Sequence, residues 1–157
     1  MNCRKFDLTL IGANDLEVVR KVFKMKVYAR ISIGSTNSET EKWTPPDKHG
    51  EENPAWNYTM NYTIAETMVR HYGTMLVIKL YCRRKLGDRY VGEVHADMRD
   101  LYEHAQLYGG SAAMCYPVKK GSVSSKGELR FSCRFGECVS IDNMLLAQGI
   151  VDWAKSM

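Results

Sequence analysis

Short segments in which apolar and polar residues alternate recur along most of the chain, and they constrain its fold more than any other feature. Phe6, Leu8 and Leu10 alternate with polar neighbours, and the same two-residue period runs through residues 27–33. This period is typical of antiparallel strands with one buried and one wet face. The pattern predicts eight strands, at residues 5–11, 27–33, 41–44, 56–64, 75–81, 90–96, 114–119 and 128–135. Eight short strands favour a two-sheet β-sandwich, an all-β fold.

Two segments have a helical pattern, and both are too short to connect parallel strands. Residues 98–106 place Met98, Leu101 and Ala105 on one face. We interpret this segment as an accessory helix packed on the edge of the sheet. Residues 141–154 carry a partial apolar stripe, which leaves three alternatives open. The segment docks on the sandwich, frays, or engages a partner.

Length and charge limit the domain count and the class of partner. A chain of 157 residues can bury one proper core, so one domain is expected. The 22 Lys and Arg residues exceed the 18 Asp and Glu residues by a net charge of +4. This mild excess is compatible with anionic lipid, with nucleic acid, or with neither.

Cysteine usage and hydropathy predict a compartment and a mode of membrane association. The five cysteines are odd in number and contain no Cys-x-x-Cys pair, and no apolar leader follows Met1. Reduced thiols in the cytoplasm fit this pattern best. No apolar run approaches the roughly 18 residues that a spanning helix needs, so any membrane association is expected to be peripheral.

Residues 41–63 pass from a polar, turn-rich run into an aromatic strand. Pro54 lacks an amide proton and restrains Asn53 toward extended geometry, so this pair is suited to end a loop. Trp56 then enters the sheet and anchors its rim. Turn-forming residues are densest here and in two other connections, at residues 12–26 and 83–88. If the strands alternate in direction, the three loops emerge at one end of the sandwich, where function on loops is expected.

Six motifs follow one another in a specific order between residues 3 and 137. They are Asp7-Leu8-Thr9-Leu10-Ile11 with Ala13-x-Asp15-Leu16, Lys24-Met25-Lys26-Val27-Tyr28-Ala29, Lys42-x-Thr44-Pro45-x-Asp47-Lys48, Asn53-Pro54-x-Trp56-Asn57, Leu86-Gly87-Asp88 with Val91-Gly92-Glu93-Val94, and Phe131-Ser132-x-x-Phe135-Gly136-Glu137. The set resembles the C2 domain of plant proteins in the cold-regulated and defence-associated family. The resemblance implies an eight-stranded antiparallel β-sandwich of the permuted topology called type II. It places the C2 domain at residues 1–137 and leaves residues 138–157 as a C-terminal extension.

Calcium-binding C2 domains crowd several aspartates into their apical loops, because Ca²⁺ takes six to eight oxygen ligands. In this chain Arg20 and Lys26 stand in the first loop at positions where the family commonly has acids. The third loop is rich in Arg and Lys, and Asp88 is its one residual candidate ligand. We therefore expect no metal site of the usual kind, and no cofactor.

Basic residues in the first and third loops are the candidate lipid-binding residues. The predicted set is Arg20, Lys21, Phe23, Lys24, Lys26, Arg83, Arg84, Lys85 and Arg89. Val22 and Leu86 are additional candidates for insertion between headgroups. The sequence thus predicts calcium-independent docking to an anionic phospholipid membrane, peripheral at the plasma membrane. In the alternative interpretation these are ordinary solvated cations and Phe23 folds onto the sandwich.

A second hypothesis is a protein-interaction module that recognises a signalling protein in stress or immune responses, as the resemblance suggests. Its candidate anchors are Trp43, Tyr72 and Trp153, because aromatic side chains dominate interface hot spots.

Catalysis, zinc binding and nucleic-acid binding are disfavoured by the sequence. The four histidines lack zinc spacing, and no nucleophile motif or phosphate-binding glycine loop is present, so the chain is predicted not to be an enzyme. Nucleic acid is an unfavoured partner.

Overall fold

The computed structural model describes residues 1–34 and 41–140, and strands dominate both ranges. The strands are β1 (Asn2–Asn14), β2 (Val27–Ile33), β3 (Lys42–Trp43), β4 (Ala55–Ala65), β5 (Met75–Cys82), β6 (Arg89–Asp97), β7 (Ser111–Lys120), β8 (Val123–Phe135) and β9 (Val139–Ser140). The helices are α1 (Thr67–Arg70) and α2 (Met98–Gln106). Neither helix of this part of the chain is long and apolar enough to cross a membrane.

The strands pair antiparallel in the order β3-β2-β5-β6-β7-β8-β1-β4, and β9 pairs with β1. β6 and β7 share only the pair Glu93 and Lys119. The path therefore divides there into two four-stranded sheets, β3-β2-β5-β6 and β7-β8-β1-β4. β8, near the end of the chain, lies between β7 and β1, which is the permuted arrangement predicted from the motifs. The predicted all-β antiparallel sandwich is confirmed.

The core lies between the two sheets and takes side chains from both. Leu8 and Phe131 of one sheet and Ile31 and Ile78 of the other are fully buried in a single cluster. Burying one such side chain stabilises the fold by about 1.5–3 kcal/mol. The alternation that predicted the strands therefore also identifies the residues that hold the sheets together.

The strand predictions are confirmed in position, and the differences lie at the ends of the strands. β7 and β8 begin three and five residues before residues 114 and 128, where the prediction began them. β9 and α1 were not predicted, since two and four residues are too short to show a period. α2 has the predicted bounds, and the Asp97 side chain caps it by accepting a hydrogen bond from the Arg99 amide at 2.9 Å. The predicted helix at residues 141–154 and the candidate anchor Trp153 lie outside the described residues.

Candidate functional site

Three loops emerge at the same end of the sandwich, which we call the apical end. They are loop 1 (residues 15–26), loop 2 (residues 44–54) and loop 3 (residues 83–88). Cys82, at the end of β5, pairs with Val27 at the start of β2 and with Arg89 at the start of β6. Gly12, near the end of β1, pairs with Ala55 at the start of β4. These registers bring all three connections together, as the sequence predicted.

Loop 2 is folded around the carboxylate of Asp47. This side chain accepts hydrogen bonds from the backbone amides of His49 at 3.2 Å, Gly50 at 3.0 Å and Ala55 at 3.1 Å. Trp56, at the loop's exit, donates from Nε1 to the Val27 carbonyl at 2.9 Å. The Asp47 carboxylate therefore satisfies backbone amides of loop 2 and of the first residue of β4.

Replacing Asp47 with alanine is expected to lower the free energy of unfolding by about 1–2 kcal/mol, because three amides lose their acceptor. Urea denaturation followed by circular dichroism measures this. The exposed neighbour Lys48 is the control, since Lys48→Ala is expected to change stability by less than about 0.5 kcal/mol. Equal losses in the two variants would contradict the role assigned to Asp47.

Loops 1 and 3 are joined through their backbones and through Arg20. The Arg83 amide donates to the Lys26 carbonyl at 2.9 Å. The Arg20 guanidinium donates from Nη1 to the carbonyls of Arg83 at 3.2 Å and Lys24 at 3.3 Å, and it stacks 5.0 Å from the centre of the Phe23 ring. Arg20 therefore holds the two loops together, while most of the other predicted cations project outward.

The tips of loops 1 and 3 combine exposed cations with exposed apolar side chains. Val22 is 86% exposed, Phe23 is 65% exposed and Leu86 is 96% exposed, so Phe23 does not fold onto the sandwich as the alternative interpretation supposed. The exposed cations around them are Lys21, Lys24, Lys26, Arg83, Lys85 and Arg89. Arg84 is half-buried and donates from Nε to the Gly87 carbonyl at 2.9 Å. Apart from Arg20 and Arg84, the predicted lipid-binding residues are all exposed at the apical end.

Comparison of the sequence with known proteins identifies the family of this chain. The C2 domain model matches residues 4–111. The chain belongs to the C2 domain family. It is 35% identical over 140 residues to Protein SRC2 of Glycine max and 34% identical over 139 residues to the Protein SRC2 homolog of Arabidopsis thaliana. The matches cover 88% and 87% of this chain but only 48% and 42% of those proteins, so the chain spans about half the length of the relatives it matches. The predicted membership of a plant C2 family is confirmed.

Solved structures agree with this assignment of the fold. A C2 domain of plant Extended Synaptotagmin 1 superposes with a TM-score of 0.69 at 15% identity, covering 87% of this chain and 97% of that domain. A C2 domain-containing protein from a putative elicitor-responsive gene gives a TM-score of 0.59 at 22% identity, covering 83% and 86% of the two chains. At these identities the likeness concerns the fold alone.

Two acidic residues at the apical end of this C2 domain, Asp47 and Asp88, accept hydrogen bonds from protein donors. The two oxygens of Asp88 accept hydrogen bonds from the Tyr28 hydroxyl and from the Arg84 amide at 3.1 Å. The Tyr28 hydrogen bond lowers the pKa of Asp88, and burial together with that bond raises the pKa of Tyr28 to about 12. Residues 1–34 and 41–140 contain no group of three His, Cys, Asp or Glu side chains placed to hold a metal ion. This arrangement fits poorly with the six to eight oxygens that Ca²⁺ requires.

The turn between β7 and β8 also lies at the apical end, and the sequence reasoning missed it. Val123 is 67% exposed there, and Lys119 and Lys126 are exposed on either side. The signal in the sequence is the run Val-Lys-Lys-Gly-Ser-Val-Ser-Ser-Lys-Gly at residues 118–127, in which three lysines occur without an acidic residue.

The candidate partner-binding aromatics lie on different elements. Trp43 in β3 is 53% exposed, and its ring stacks 5.6 Å from the Tyr28 ring with the Arg30 guanidinium 4.6 Å from its centre. Tyr72 follows α1, is 66% exposed, and donates from its hydroxyl to Glu103 of α2 at 3.3 Å. The structure does not bring these two residues into one patch.

Proposed function

We propose that this C2 domain is a non-catalytic adaptor that docks on anionic phospholipid membranes without Ca²⁺. The observation that carries the proposal is the apical surface, where the apolar tips Val22, Phe23 and Leu86 stand exposed among six exposed cations. A docking surface of this kind combines apolar insertion into the headgroup region with attraction to lipid phosphates.

The expected strength of binding follows from the number of cations. Each Lys or Arg near an anionic leaflet contributes about 1 kcal/mol, so about four or five engaged together give binding near the millimolar range before any apolar insertion. The attraction acts across water, where the Debye length shortens as the salt concentration rises. Binding is therefore salt-sensitive.

Two features support independence from calcium. The carboxylates of Asp47 and Asp88 are occupied by amide and hydroxyl donors. Arg20 already joins loop 1 to loop 3 through carbonyls of both loops. A permanent side-chain cation thus lies between loops that a Ca²⁺ ion joins in calcium-dependent relatives.

Sedimentation with vesicles tests the proposal. The C2 domain is expected to co-sediment with phosphatidylcholine vesicles that contain phosphatidylserine, in the presence of EGTA, and not with phosphatidylcholine alone. Raising the salt concentration from about 0.1 M to about 0.5 M is expected to release most of the bound protein. Binding that requires added calcium, or failure to bind the anionic vesicles at low salt, would contradict the proposal.

We further propose a role in plant stress or immune signalling, at the cytoplasmic face of the plasma membrane. The similarity to the SRC2 proteins and to a C2 protein from a putative elicitor-responsive gene supports this setting. Imaging of a fluorescent fusion in plant cells tests the location. Wild type is expected at the cell periphery, and a variant with reversed loop charges in the cytosol.

A second candidate function is recognition of a signalling protein through the face that carries Trp43. The ring of Trp43 is held by Tyr28 and Arg30 yet half exposed, as in a preorganised interface anchor. Proximity labelling in plant cells separates this candidate from lipid docking. Neighbours that Trp43→Ala loses, while a loop charge-reversal variant keeps them, would support a partner on this face.

A further inference from the structure

The β7–β8 hairpin extends beyond the end of the sheet to which it belongs. The last pair between β8 and β1 joins Glu128 to Asn14, whereas β7 and β8 stay paired as far as Lys120 and Val123. Five residues of β8 therefore continue past the end of β1. At about 3.3 Å per residue they reach roughly 17 Å, toward the same side as loop 1.

Contacts with loop 1 hold the projecting hairpin in place. Lys120 Nζ lies 2.8 Å from Glu17 Oε2, and the Ser125 hydroxyl donates to the same oxygen at 3.4 Å. The hydrogen bond from Lys120 lowers the pKa of Glu17, so this carboxylate is charged near neutral pH. At the hairpin's base Gly127 has φ +94°, and a Cβ there would lie 2.6 Å from the Asn14 carbonyl oxygen. The hairpin is thus packed tightly against the start of loop 1.

The chemistry of the hairpin tip matches that of loops 1 and 3. Val123 is a large apolar side chain exposed to 67%, and Lys119 and Lys126 are exposed beside it. Residues 118–127 contain no acid, and the only ion pair that the described residues form with them uses Lys120. An exposed valine between exposed lysines has the same composition as the tips of loops 1 and 3 and is favourable at an anionic interface.

We propose that the β7–β8 hairpin is a third membrane-contacting element, in which Val123 enters the headgroup region while Lys119 and Lys126 contact lipid phosphates. This inference rests on the proposed function and deepens it. Loop 3 belongs to one sheet, the hairpin to the other, and loop 1 connects the two. Contact at all three elements fixes the tilt of the sandwich relative to the membrane plane. Contact at loops 1 and 3 alone does not fix this tilt.

Spin labels on the full chain test the depth of each element. The exposed or half-exposed thiols Cys115 and Cys138 are first replaced by serine, and single cysteines are then introduced as Val123→Cys, Leu86→Cys and Leu107→Cys. Leu107 is 78% exposed and follows α2 at the opposite end. On phosphatidylserine-containing vesicles we expect the labels at 123 and 86 to lose collisions with an aqueous nickel reagent and to gain collisions with oxygen. The label at 107 is expected to stay aqueous.

The possible outcomes distinguish contact by the hairpin from docking of the C2 domain on anionic membranes as a whole. A protected label at 86 with an aqueous label at 123 would overturn the hairpin contact and leave docking through the loops intact. Absence of vesicle binding by the unlabelled protein would overturn both.

A matched pair of substitutions on β8 provides a second readout. Lys126→Glu is expected to weaken vesicle binding about thirtyfold, whereas Arg134→Glu, the same charge change at the other end of β8, is expected to leave it within about twofold. Equal effects of the two substitutions would overturn the inference.

Discussion

Reversing Lys24 in loop 1 and Lys85 in loop 3 to glutamate is expected to weaken binding to phosphatidylserine-containing vesicles by on the order of a thousandfold. Each reversal removes about 1 kcal/mol of attraction and adds repulsion of similar size. Two reversals therefore cost about 4 kcal/mol, and about 1.4 kcal/mol corresponds to a factor of ten. Vesicle sedimentation at about 0.1 M salt in EGTA measures the change.

This double substitution is not expected to disturb the fold. Both side chains are exposed, and neither forms an ion pair with the described part of the chain. Lys24 contributes its backbone carbonyl to Arg20, and that contact does not depend on the side chain. An unchanged urea midpoint checks that any loss of binding reflects the surface itself.

The control keeps the net charge the same and moves the substitutions away from the loops. Lys5→Glu with Arg134→Glu also brings the net charge from +4 to 0, and both residues lie near the opposite end of the sandwich. This pair is expected to reduce binding less than about tenfold. Similar losses in both double variants would mean that overall charge attracts the protein, and that the apical surface has no special role.

The sequence predicted the sandwich because alternation and burial have the same physical origin. Residues such as Leu8, Ile31 and Leu129 are apolar where the strand faces the core, and their neighbours are polar where it faces water. The first half of β8 was missed for the same reason. Val123, Ser124 and Ser125 are not buried on either face, so nothing in their order marks a strand, and pairing with β7 alone keeps them extended.

The composition of the candidate site was predicted because each loop is a continuous stretch of sequence. The contacts within the site join residues that are far apart in the sequence, and these were not predicted. The basic character of loops 1 and 3 is visible in the sequence, and so is the turn chemistry that ends their strands. Which side chains hold the loops together and which stay exposed depends on hydrogen bonds between residues 63 and 60 positions apart in the sequence. Arg20 reaches the Arg83 carbonyl and Tyr28 reaches Asp88, and one sequence contains no signal for either pair.

The second large effect is expected at the opposite end, where Arg4 and Glu66 form the most buried ion pair among the described residues. Arg4 Nε lies 2.6 Å from Glu66 Oε2, and their side chains are 13% and 8% exposed. Arg4 also donates to the Gly136 carbonyl at 2.8 Å, so the pair connects β1, the start of α1 and the chain just after β8. Glu66→Ala is expected to lower the free energy of unfolding by about 3 kcal/mol, because it leaves a guanidinium charge in a desolvated position.

A second arginine on the same carboxylate supplies the control. Arg70 lies 3.4 Å from Glu66, but its side chain is 64% exposed. Arg70→Ala is therefore expected to cost less than about 0.5 kcal/mol, as is usual for an exposed pair in helical spacing. Urea denaturation at neutral pH compares the two variants. Losses of equal size would mean that burial of the partner does not govern the strength of this ion pair.

The pH dependence shows whether the charge of Glu66 is the cause. Burial raises the pKa of this carboxyl, but the hydrogen bond and charge of Arg4 outweigh it and leave the pKa below its ordinary 4.5. A depressed folded-state pKa means that the stabilisation is complete above the unfolded-state value and is lost as the pH falls through the folded-state value. The stability gap between wild type and Glu66→Ala is therefore expected to be constant from about pH 7 to about pH 5 and to narrow below that. A gap that does not narrow as the acid limb of the titration is followed until the wild type unfolds would assign the loss to the missing side-chain packing and not to the charge of Glu66.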